Sequence, residues 1–342
     1  MTVLELDAES ILARAPRQLF PGTPEEVRSA FKRLAVKWHP DHNRTDPRAA
    51  TVFNHLRKAR DAALGKTSEQ KLILTRKRAG DKFALDYISS GKSETGQWFV
   101  GASTISYLVD PALEDLCLPA VSMKWEFYND QMKNEMTKYL PNRVKWEDTT
   151  SGIFLSYRRT PDQLLLTQLL QWEKVRGGTG LPDARHVMWM ISSLLNTCCY
   201  LEVTKTSHCA LIPEYLLVSP QEHSVALTGP PLYATPWGQR PKAVPSAVLE
   251  AFPRLRAPDF KVVDSKLDLT MVRWLAMRAL GHNNMAMLAR DTSLREDMRK
   301  WVTSPAPTSA IKDYTVWEKA RGKRTFTPYD ATASEMLSAL GV

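Results

Sequence analysis

The stretch Val36-Lys37-Trp38-His39-Pro40-Asp41-His42-Asn43 lies between two amphipathic helical patterns near the N-terminus. Pro40 ends the first pattern, because its ring and its missing N–H cannot continue a helix. Two helices of this kind bury their apolar stripes against each other. The sequence therefore predicts a helical hairpin whose connecting loop exposes His39, Pro40 and Asp41.

The first helix of this hairpin has a clear start. Thr23-Pro24-Glu25-Glu26 is a capping box, with Thr23 as the N-cap, Pro24 as the first helical residue and Glu26 reaching back. The apolar stripe that follows, at spacings of three and four, is Val27, Ala30, Phe31, Leu34 and Trp38. The other faces carry four cations, Arg28, Lys32, Arg33 and Lys37.

The second helix starts after Asp46-Pro47, and Gly65 is its predicted C-terminal cap. Its stripe consists of Ala49, Val52, Phe53, Leu56, Ala59 and Ala63. A short helix over residues 8–15 precedes the hairpin. Together these patterns predict an all-helical module over residues 1–66.

This module resembles the J-domain of DnaJ-type co-chaperones. In that family one helix ends in Leu-Ala-x-Lys-x-His-Pro-Asp, and the next carries Ala, Phe and a later apolar-Ala pair. The matching residues here are Leu34, Ala35, Lys37, His39, Pro40, Asp41, Ala49, Phe53, Leu56 and Ala59. Two features depart from the family: Arg60 stands where a tyrosine is usual, and the opening helix lacks its aromatic pair. We expect both to weaken packing without touching the loop.

The resemblance implies a partner, a DnaK-type (heat-shock 70 kDa) chaperone. The cationic face would meet an acidic surface on that chaperone. His39-Pro40-Asp41 would dock near its ATPase–linker junction and shift it toward the hydrolysing state. No Gly/Phe-rich linker and no Cys-x-x-Cys-x-Gly-x-Gly repeats follow. The chain therefore resembles the third class, in which one J-domain is joined to an unrelated domain that selects the target.

Composition narrows the remaining functional classes. The chain has 342 residues and a formal net charge of +9, but no nucleic-acid-binding motif, so an acidic protein partner is preferred over nucleic acid. Cys117, Cys198, Cys199 and Cys209 form no Cys-x-x-Cys pair, which predicts neither a zinc site nor a disulfide framework. No cofactor is expected. No apolar run nears the ~20 residues of a membrane span, and residues 1–7 lack a secretory pattern, so a cytoplasmic protein is expected.

The rest of the chain divides by pattern into a basic linker or helix over 67–80, a strand-rich region over 81–158 and a helical region over 159–342. Strands are predicted at 82–88, 97–101, 104–109, 121–124 and 153–158. Helices are predicted at 129–140, 161–172, 183–201, 266–280, 284–288 and 294–301. The predicted fold class is thus α+β.

A second motif follows the long helix. His208-Cys209-Ala210-Leu211-Ile212-Pro213-Glu214-Tyr215 and the apolar residues after it resemble the protein kinase catalytic loop, His-Arg-Asp-Leu-x-Pro-Glu-Asn. Val121-Ser122-Met123-Lys124 is similar to the kinase Val-Ala-x-Lys strand, and Glu135 would lie on the next helix. The resemblance implies a two-lobed kinase-like domain, with a strand-rich small lobe and a helical large lobe.

The residue types at these positions oppose phosphoryl transfer, which needs a carboxylate base and oxygen ligands for Mg²⁺. Ala210 stands at the position of the base and Tyr215 at that of the metal-binding amide. The later metal-binding motif falls at Leu227-Thr228-Gly229, which has no carboxylate. Lys124 and Glu135 are expected to form a structural salt bridge rather than to bind nucleotide. The sequence therefore predicts a pseudokinase and no enzyme activity.

Three functional hypotheses follow. In the preferred one, the chain is a J-domain co-chaperone that stimulates a DnaK-type ATPase, and its kinase-like domain tethers a client or an assembly. In the second, the large domain is an atypical kinase-fold enzyme that the J-domain localises. In the third, the basic charge serves nucleic-acid or virion binding.

Overall fold

In the computed structural model the described residues are 7–14, 16–43, 45–64, 70–253, 262–323 and 325–340. The N-terminal module contains four helices, α1 (Ala8–Leu12), α2 (Pro16–Leu19), α3 (Pro24–Trp38) and α4 (Ala49–Ala63). α3 and α4 pack against each other, as predicted. Their stripes form a core of their own, which includes Val27, Leu34, Trp38, Val52, Leu56 and Ala59.

The capping box sets the start of α3. The Glu26 backbone N–H donates to Thr23 Oγ1 (3.4 Å), and the Thr23 N–H donates to Glu26 Oε2 (2.6 Å). The helix ends at His39, whose φ of −64° and ψ of 131° are extended. This is the conformation that a following proline imposes. The predicted cap Gly65 lies outside the described residues.

Arg60, which departs from the family that the module resembles, packs against side chains of both main helices. Its guanidinium lies over the Phe31 ring, 4.2 Å from the centroid, and forms an ion pair with Asp61 at 2.7 Å. Phe20 meets the same Phe31 ring edge-on at 6.2 Å. A cation–π contact between the two main helices thus stands where the family places tyrosine.

The small lobe begins earlier than the sequence predicts. β1 (Gln70–Thr75) pairs antiparallel with β2 (Lys82–Tyr87), so the prediction of a basic linker or helix over 67–80 is wrong for the described residues 70–80. The alternation in Gln-Lys-Leu-Ile-Leu-Thr buries Leu74 and exposes Ile73. A period of two is typical of a strand, and the nearby lysines and arginines obscured it.

A five-stranded antiparallel sheet follows, made of β3 (Ser89–Ser93), β4 (Gly96–Val100), β5 (Thr104–Val109), β6 (Arg143–Thr149) and β7 (Gly152–Arg158). The strand order is β3-β4-β5-β7-β6. Between β5 and β6 the chain forms α5 (Glu114–Ser122) and α6 (Asp130–Met136), and α5 packs on β7. The strand predicted at 121–124 is wrong, because Val121 and Ser122 are the last residues of α5.

The large lobe is helical, with two short sheets at the lobe boundary. Its strands are β8 (Leu164–Leu165), β9 (Thr206–Ser207), β10 (Leu216–Ser219), β11 (Ser224–Leu227) and β12 (Thr235–Pro236). Its helices are α7 (Leu166–Val175), α8 (Ala184–Val203), α9 (Ser246–Ala251), α10 (Ser265–Ala279), α11 (Met285–Ala289), α12 (Glu296–Thr303), α13 (Ala310–Arg321) and α14 (Ala333–Leu340). The largely apolar α8 packs against α10, α13 and β11, as its sequence predicts.

Both lobes share one apolar core, which runs from the sheet to the large-lobe helices. The core of the N-terminal module is separate from it. The two parts are nevertheless in contact, since α14 packs against both α7 of the large lobe and α4 of the N-terminal module. Among the described residues, no helix has the length and apolar character that crossing a bilayer would require.

Candidate functional site: an exposed loop and a buried loop

The loop between α3 and α4 is held in shape by its own backbone and by Asn43. The His42 N–H donates to the His39 carbonyl at 3.0 Å, and the Asn43 N–H donates to the same oxygen at 3.1 Å. The Asn43 side-chain amide donates to the Lys37 carbonyl (2.7 Å) and to the His39 carbonyl (3.2 Å). These bonds satisfy carbonyls that the end of a helix leaves without partners. Residues 39–43 are therefore held by hydrogen bonds although the loop faces solvent.

The His39 side chain has a defined position within this loop. Its ring meets Phe53 of α4 edge-on, with 5.1 Å between centroids. Its Nδ1 accepts from the Asp41 N–H at 3.3 Å and lies 3.6 Å from the Asp41 carboxylate. The Asp41 side chain is 75% exposed and that of His39 is 41% exposed. The loop thus presents an imidazole and a carboxylate, side by side, to solvent.

All four predicted cations of α3 are exposed: Arg28, Lys32, Arg33 and Lys37. The Lys37 ammonium also lies 5.8 Å from the Trp38 ring centroid. One apolar residue, Val36, is 64% exposed on the same helix. A field of like charges beside an open loop raises the encounter rate with an acidic partner.

The second motif lies in the opposite environment. His208, Cys209 and Ala210 are buried, and the segment 213–215 forms a 3₁₀ turn before β10. The buried Asp268 of α10 accepts three hydrogen bonds, from the Ser207 hydroxyl (2.9 Å), the His208 N–H (2.8 Å) and the Cys209 N–H (3.0 Å). The Asp268 carboxylate therefore fixes the start of this loop through three hydrogen bonds.

Burial changes the proton affinity of both groups. It lowers the pKa of His208 to about 4, and a backbone hydrogen bond at Ala210 opposes this shift. It raises the pKa of Asp268 to about 6, although the three hydrogen bonds favour the carboxylate. Neither group faces a solvent-filled space where it could exchange a proton with a substrate.

Tyrosine side chains join the small lobe to this loop. Tyr215 is buried, and its hydroxyl is 2.7 Å from Thr95 Oγ1 at the tip of the β3–β4 hairpin. The Tyr107 hydroxyl of β5 donates to the Glu214 carbonyl at 2.9 Å, and the two tyrosine rings meet edge-on at 5.6 Å. The small lobe thus contacts the second motif directly.

Two further features lie where the small lobe meets the large lobe. The Glu94 carboxylate, next to Thr95, accepts the Ser246 N–H of α9 at 2.9 Å. Gly229 has a φ of +80°, and a Cβ there would lie 2.9 Å from the Tyr215 ring and 3.0 Å from Tyr107. The space between the lobes at this point is filled by protein.

The predicted pair Lys124–Glu135 is not brought together. Both side chains are exposed, and Glu135 accepts from the Gln131 amide at 3.3 Å within α6. Among the described residues no ion pair joins Lys124 to Glu135, because Lys124 follows α5 instead of lying in a strand. The strand that precedes α5 is β5, and its sequence Thr-Ile-Ser-Tyr-Leu-Val contains no lysine. The assignment of a kinase-type lysine to Lys124 is therefore wrong.

Several residues that shape these loops were given no role at the loops by the sequence analysis. Asn43 binds the exposed loop, Phe53 was placed only in the apolar stripe of its helix, and Asp268 and Tyr107 shape the buried loop. Asn43 directly follows His42 in the quoted stretch, so its short polar side chain was a signal for turn formation. Nothing in the sequence near Asp268 connects it with a motif 60 positions earlier. Among the described residues, no group of three His, Cys, Asp or Glu side chains is arranged to hold a metal ion.

Comparison with known proteins supports both parts of this description. The DnaJ domain family matches residues 21–68. Over 37 residues the chain is 49% identical to the chaperone protein DnaJ of Carboxydothermus hydrogenoformans, a match that covers 11% of this chain and 10% of that protein. The likeness to that chaperone therefore spans about a tenth of its length.

The crystal structure of a rhoptry kinase from Toxoplasma gondii is similar to most of the chain. The two share a TM-score of 0.50 at 11% sequence identity, over 75% of this chain and 84% of that one. At this identity the likeness shows the fold alone. The chain thus consists of a J-domain joined to a domain with a kinase-like fold.

Proposed function

We propose that this protein is a J-domain co-chaperone that recruits a DnaK-type chaperone and stimulates its ATP hydrolysis. One observation carries the proposal: His39 and Asp41 are ordered yet open to solvent, directly beside an exposed cationic helix face. An ordered loop loses little conformational entropy on binding, so more of its interaction energy remains as affinity.

The cations of α3 and the residues of the loop have different roles in binding. Arg28, Lys32 and Arg33 attract an acidic surface and set the orientation of α3 on the chaperone. The His39 imidazole can then donate a hydrogen bond to the chaperone, and the Asp41 carboxylate can accept one. Both side chains are already held in position, so binding need not order them first. Stimulation requires that this pair bind the hydrolysing state of the chaperone more tightly than the resting state. The bound J-domain thereby shifts the population of the chaperone.

We further propose that the kinase-like domain binds a client or an assembly and transfers no phosphate. Phosphoryl transfer requires a base and metal ligands in an open cleft. Ala210 cannot accept a proton, and a tyrosine hydroxyl such as that of Tyr215 is a poor ligand for Mg²⁺. The contacts of Thr95 with Tyr215 and of Tyr107 with Glu214 also join the small lobe to the segment that resembles the catalytic loop, which supports a structural role for that segment. The cytoplasmic location expected from the sequence stays a prediction.

The test of the co-chaperone function is single-turnover ATP hydrolysis by a DnaK-type chaperone with and without this protein. We expect stimulation by the parent chain, and the unstimulated rate with His39→Gln or Asp41→Asn. His42→Gln is the matched control, because His42 is exposed in the same loop and should retain most of the stimulation. Equal stimulation by all four proteins would refute the proposed role of the loop.

The test of the scaffold function is binding and transfer of ATP. We expect no change of melting temperature with ATP and Mg²⁺, and no phosphate transfer to a generic protein substrate. The double variant Ala210→Asp/Tyr215→Asn restores two side-chain types and should still be inactive, because Leu227 supplies no metal ligand. Transfer by the parent chain would establish an enzyme and overturn this half of the proposal. Salt-dependent DNA binding without any ATPase stimulation would instead favour a nucleic-acid-binding protein.

A further inference from the structure

The C-terminal strap, residues 325–340, crosses the large lobe and ends against the J-domain. Its first anchor is an aromatic stack. The Phe326 ring stacks on His223 at 4.5 Å, and His223 stacks in turn on Trp189 of α8 at 5.3 Å. His223 Nε2 also lies 2.9 Å from the Thr327 carbonyl, within hydrogen-bonding distance. The hairpin between β10 and β11 thus holds the start of the strap.

The second anchor is on α7. The Tyr329 hydroxyl donates to Glu173 Oε1 at 2.6 Å, in a buried position, and the Tyr329 ring contacts His186 at 4.7 Å. Arg176 of α7 donates to the Asp330 carboxylate at 3.1 Å. The strap is therefore tied to the large lobe over several consecutive residues before α14 begins.

α14 is buried on nearly every side. The Glu335 carboxylate accepts the N–H (2.8 Å) and the hydroxyl (2.9 Å) of Thr332, which caps the helix. Met336 and Leu337 are fully buried, and Ser334 is the exposed position of this helix. A helix of eight residues is not stable alone in water, so its order comes from the elements packed against it. Those elements are α7 on one side and α4 of the J-domain on the other.

The contact uses the side of the J-domain that the exposed loop does not. α4 meets α14, whereas the cations of α3, together with Asp41, remain exposed. We propose that the strap is an internal docking device: it fixes the J-domain on the kinase-like domain in one orientation, with the His39-Pro40-Asp41 loop directed outward. A chaperone bound to that loop is then held at a fixed position relative to anything bound by the large domain. The fixed position of the chaperone rests on the proposed co-chaperone function, whereas the docking of the J-domain does not.

Distance measurement between two spin labels tests the docking without any chaperone. One label replaces Ser29 on α3 and the other replaces Lys312 on α13, both exposed, in a Cys199→Ser background because the other native cysteines are buried. We expect one narrow distance distribution in the parent chain. Leu337 belongs to the core of the kinase-like domain, so a charge at this position in Leu337→Glu should release α14 from the large lobe and broaden the distribution. The matched change Ser334→Glu, at an exposed position, should leave it narrow.

Leu337→Ala is the milder variant, for use if Leu337→Glu does not fold. It should add a second, broad component while the large lobe keeps its cooperative unfolding transition. A broad distribution in the parent chain would overturn the proposal. So would an unchanged narrow distribution in the folded Leu337 variant.

Chaperone stimulation separates this inference from the proposed function. Since the loop is exposed whether or not the J-domain is docked, Leu337→Ala should retain the full ATPase stimulation of the parent. Failure of the parent chain to stimulate ATP hydrolysis would refute the proposed function. It would not affect the conclusion from the distance measurement. Loss only in Leu337→Ala would show that α14 supports the J-domain fold and not merely its orientation, which would contradict the docking role.

Discussion

The loops at His39 and at His208 each follow a helix in sequence and each contain a histidine, but their environments are opposite. At the first loop, the backbone is satisfied locally by Asn43, and the side chains of His39 and Asp41 remain available. At the second, Asp268 and the tyrosines of the lobe boundary bind the loop from both sides. The side chains of the first loop are exposed to solvent, whereas the second loop is part of the core.

The comparison shows how a binding motif and a fold motif can be told apart. A polar group that the protein itself satisfies contributes to stability, whereas one that is ordered but left in solvent can contribute to recognition. The buried residues of the second loop, such as His208, therefore contribute to the fold. Substitutions in the two loops should then separate stability from function.

The largest effect is expected for Asp268→Ala. It leaves three buried donors without an acceptor, so the free energy of unfolding should fall by about 3–5 kcal/mol. Urea unfolding followed by circular dichroism measures this. Asp264→Ala, which removes only the N-cap of the same helix, is the control and should cost about 1 kcal/mol. Similar losses in the two variants would mean that Asp268 does not hold the loop.

The next largest effect is the dependence of the free energy of unfolding on pH, to which His208 contributes. Its pKa in the folded state is about 4, below the ordinary value, so the unfolded chain binds more protons as the pH falls below about 6.5. The free energy of unfolding of the parent should therefore fall, relative to His208→Leu, by about 2 kcal/mol between pH 7.5 and pH 5. Asp268 acts in the opposite direction, because its raised pKa stabilises the fold at lower pH.

Using the difference between parent and His208→Leu cancels the contribution of Asp268, which both proteins share. The measurement is urea unfolding at several pH values. A difference that does not vary with pH would show that His208 is protonated, or solvated, in the folded protein.

A smaller effect is expected at the exposed loop. Asn43→Ala removes the amide that binds the Lys37 and His39 carbonyls, and should cost about 1 kcal/mol because water replaces part of the lost bonding. Chaperone stimulation should be reduced but not abolished, since His39 and Asp41 remain. Unchanged stimulation would indicate that loop order is not needed for binding.

The smallest effect on stability is expected on the cationic face. The side chains of Lys32 and Arg33 are exposed, so Lys32→Ala and Arg33→Ala should each change the free energy of unfolding by less than about 0.5 kcal/mol. Their association with the chaperone should be slower than that of the parent, and the difference should shrink as salt is added. Stopped-flow association at several salt concentrations measures both. Glu25→Gln, on the first turn of the same helix, is a control that leaves the four cations in place.

The sequence was most informative where one short segment determines the structure. The capping box at Thr23, the stripes of α3 and α4 and the proline after His39 all act within a few residues, and the J-domain follows from them. Lys124 shows the opposite case. Its neighbours Val121 and Ser122 resemble a strand over four residues, but the preceding acids and the burial of Cys117 and Ala120 make the segment a helix. A pattern of four residues is too short to distinguish the two.

The sequence by itself determined the helical hairpin of the J-domain and indicated a kinase-like domain after it, with Ala210 and Tyr215 in the segment that resembles the catalytic loop. Only the tertiary structure decided that Tyr107 and Thr95 contact the segment at Glu214 and Tyr215, that Asp268 binds the loop at His208, and that α14 joins the J-domain to the large lobe. The physical reason is distance along the chain. Local propensity and periodicity are encoded by neighbours, whereas these contacts join residues that only the packing of a common core brings together.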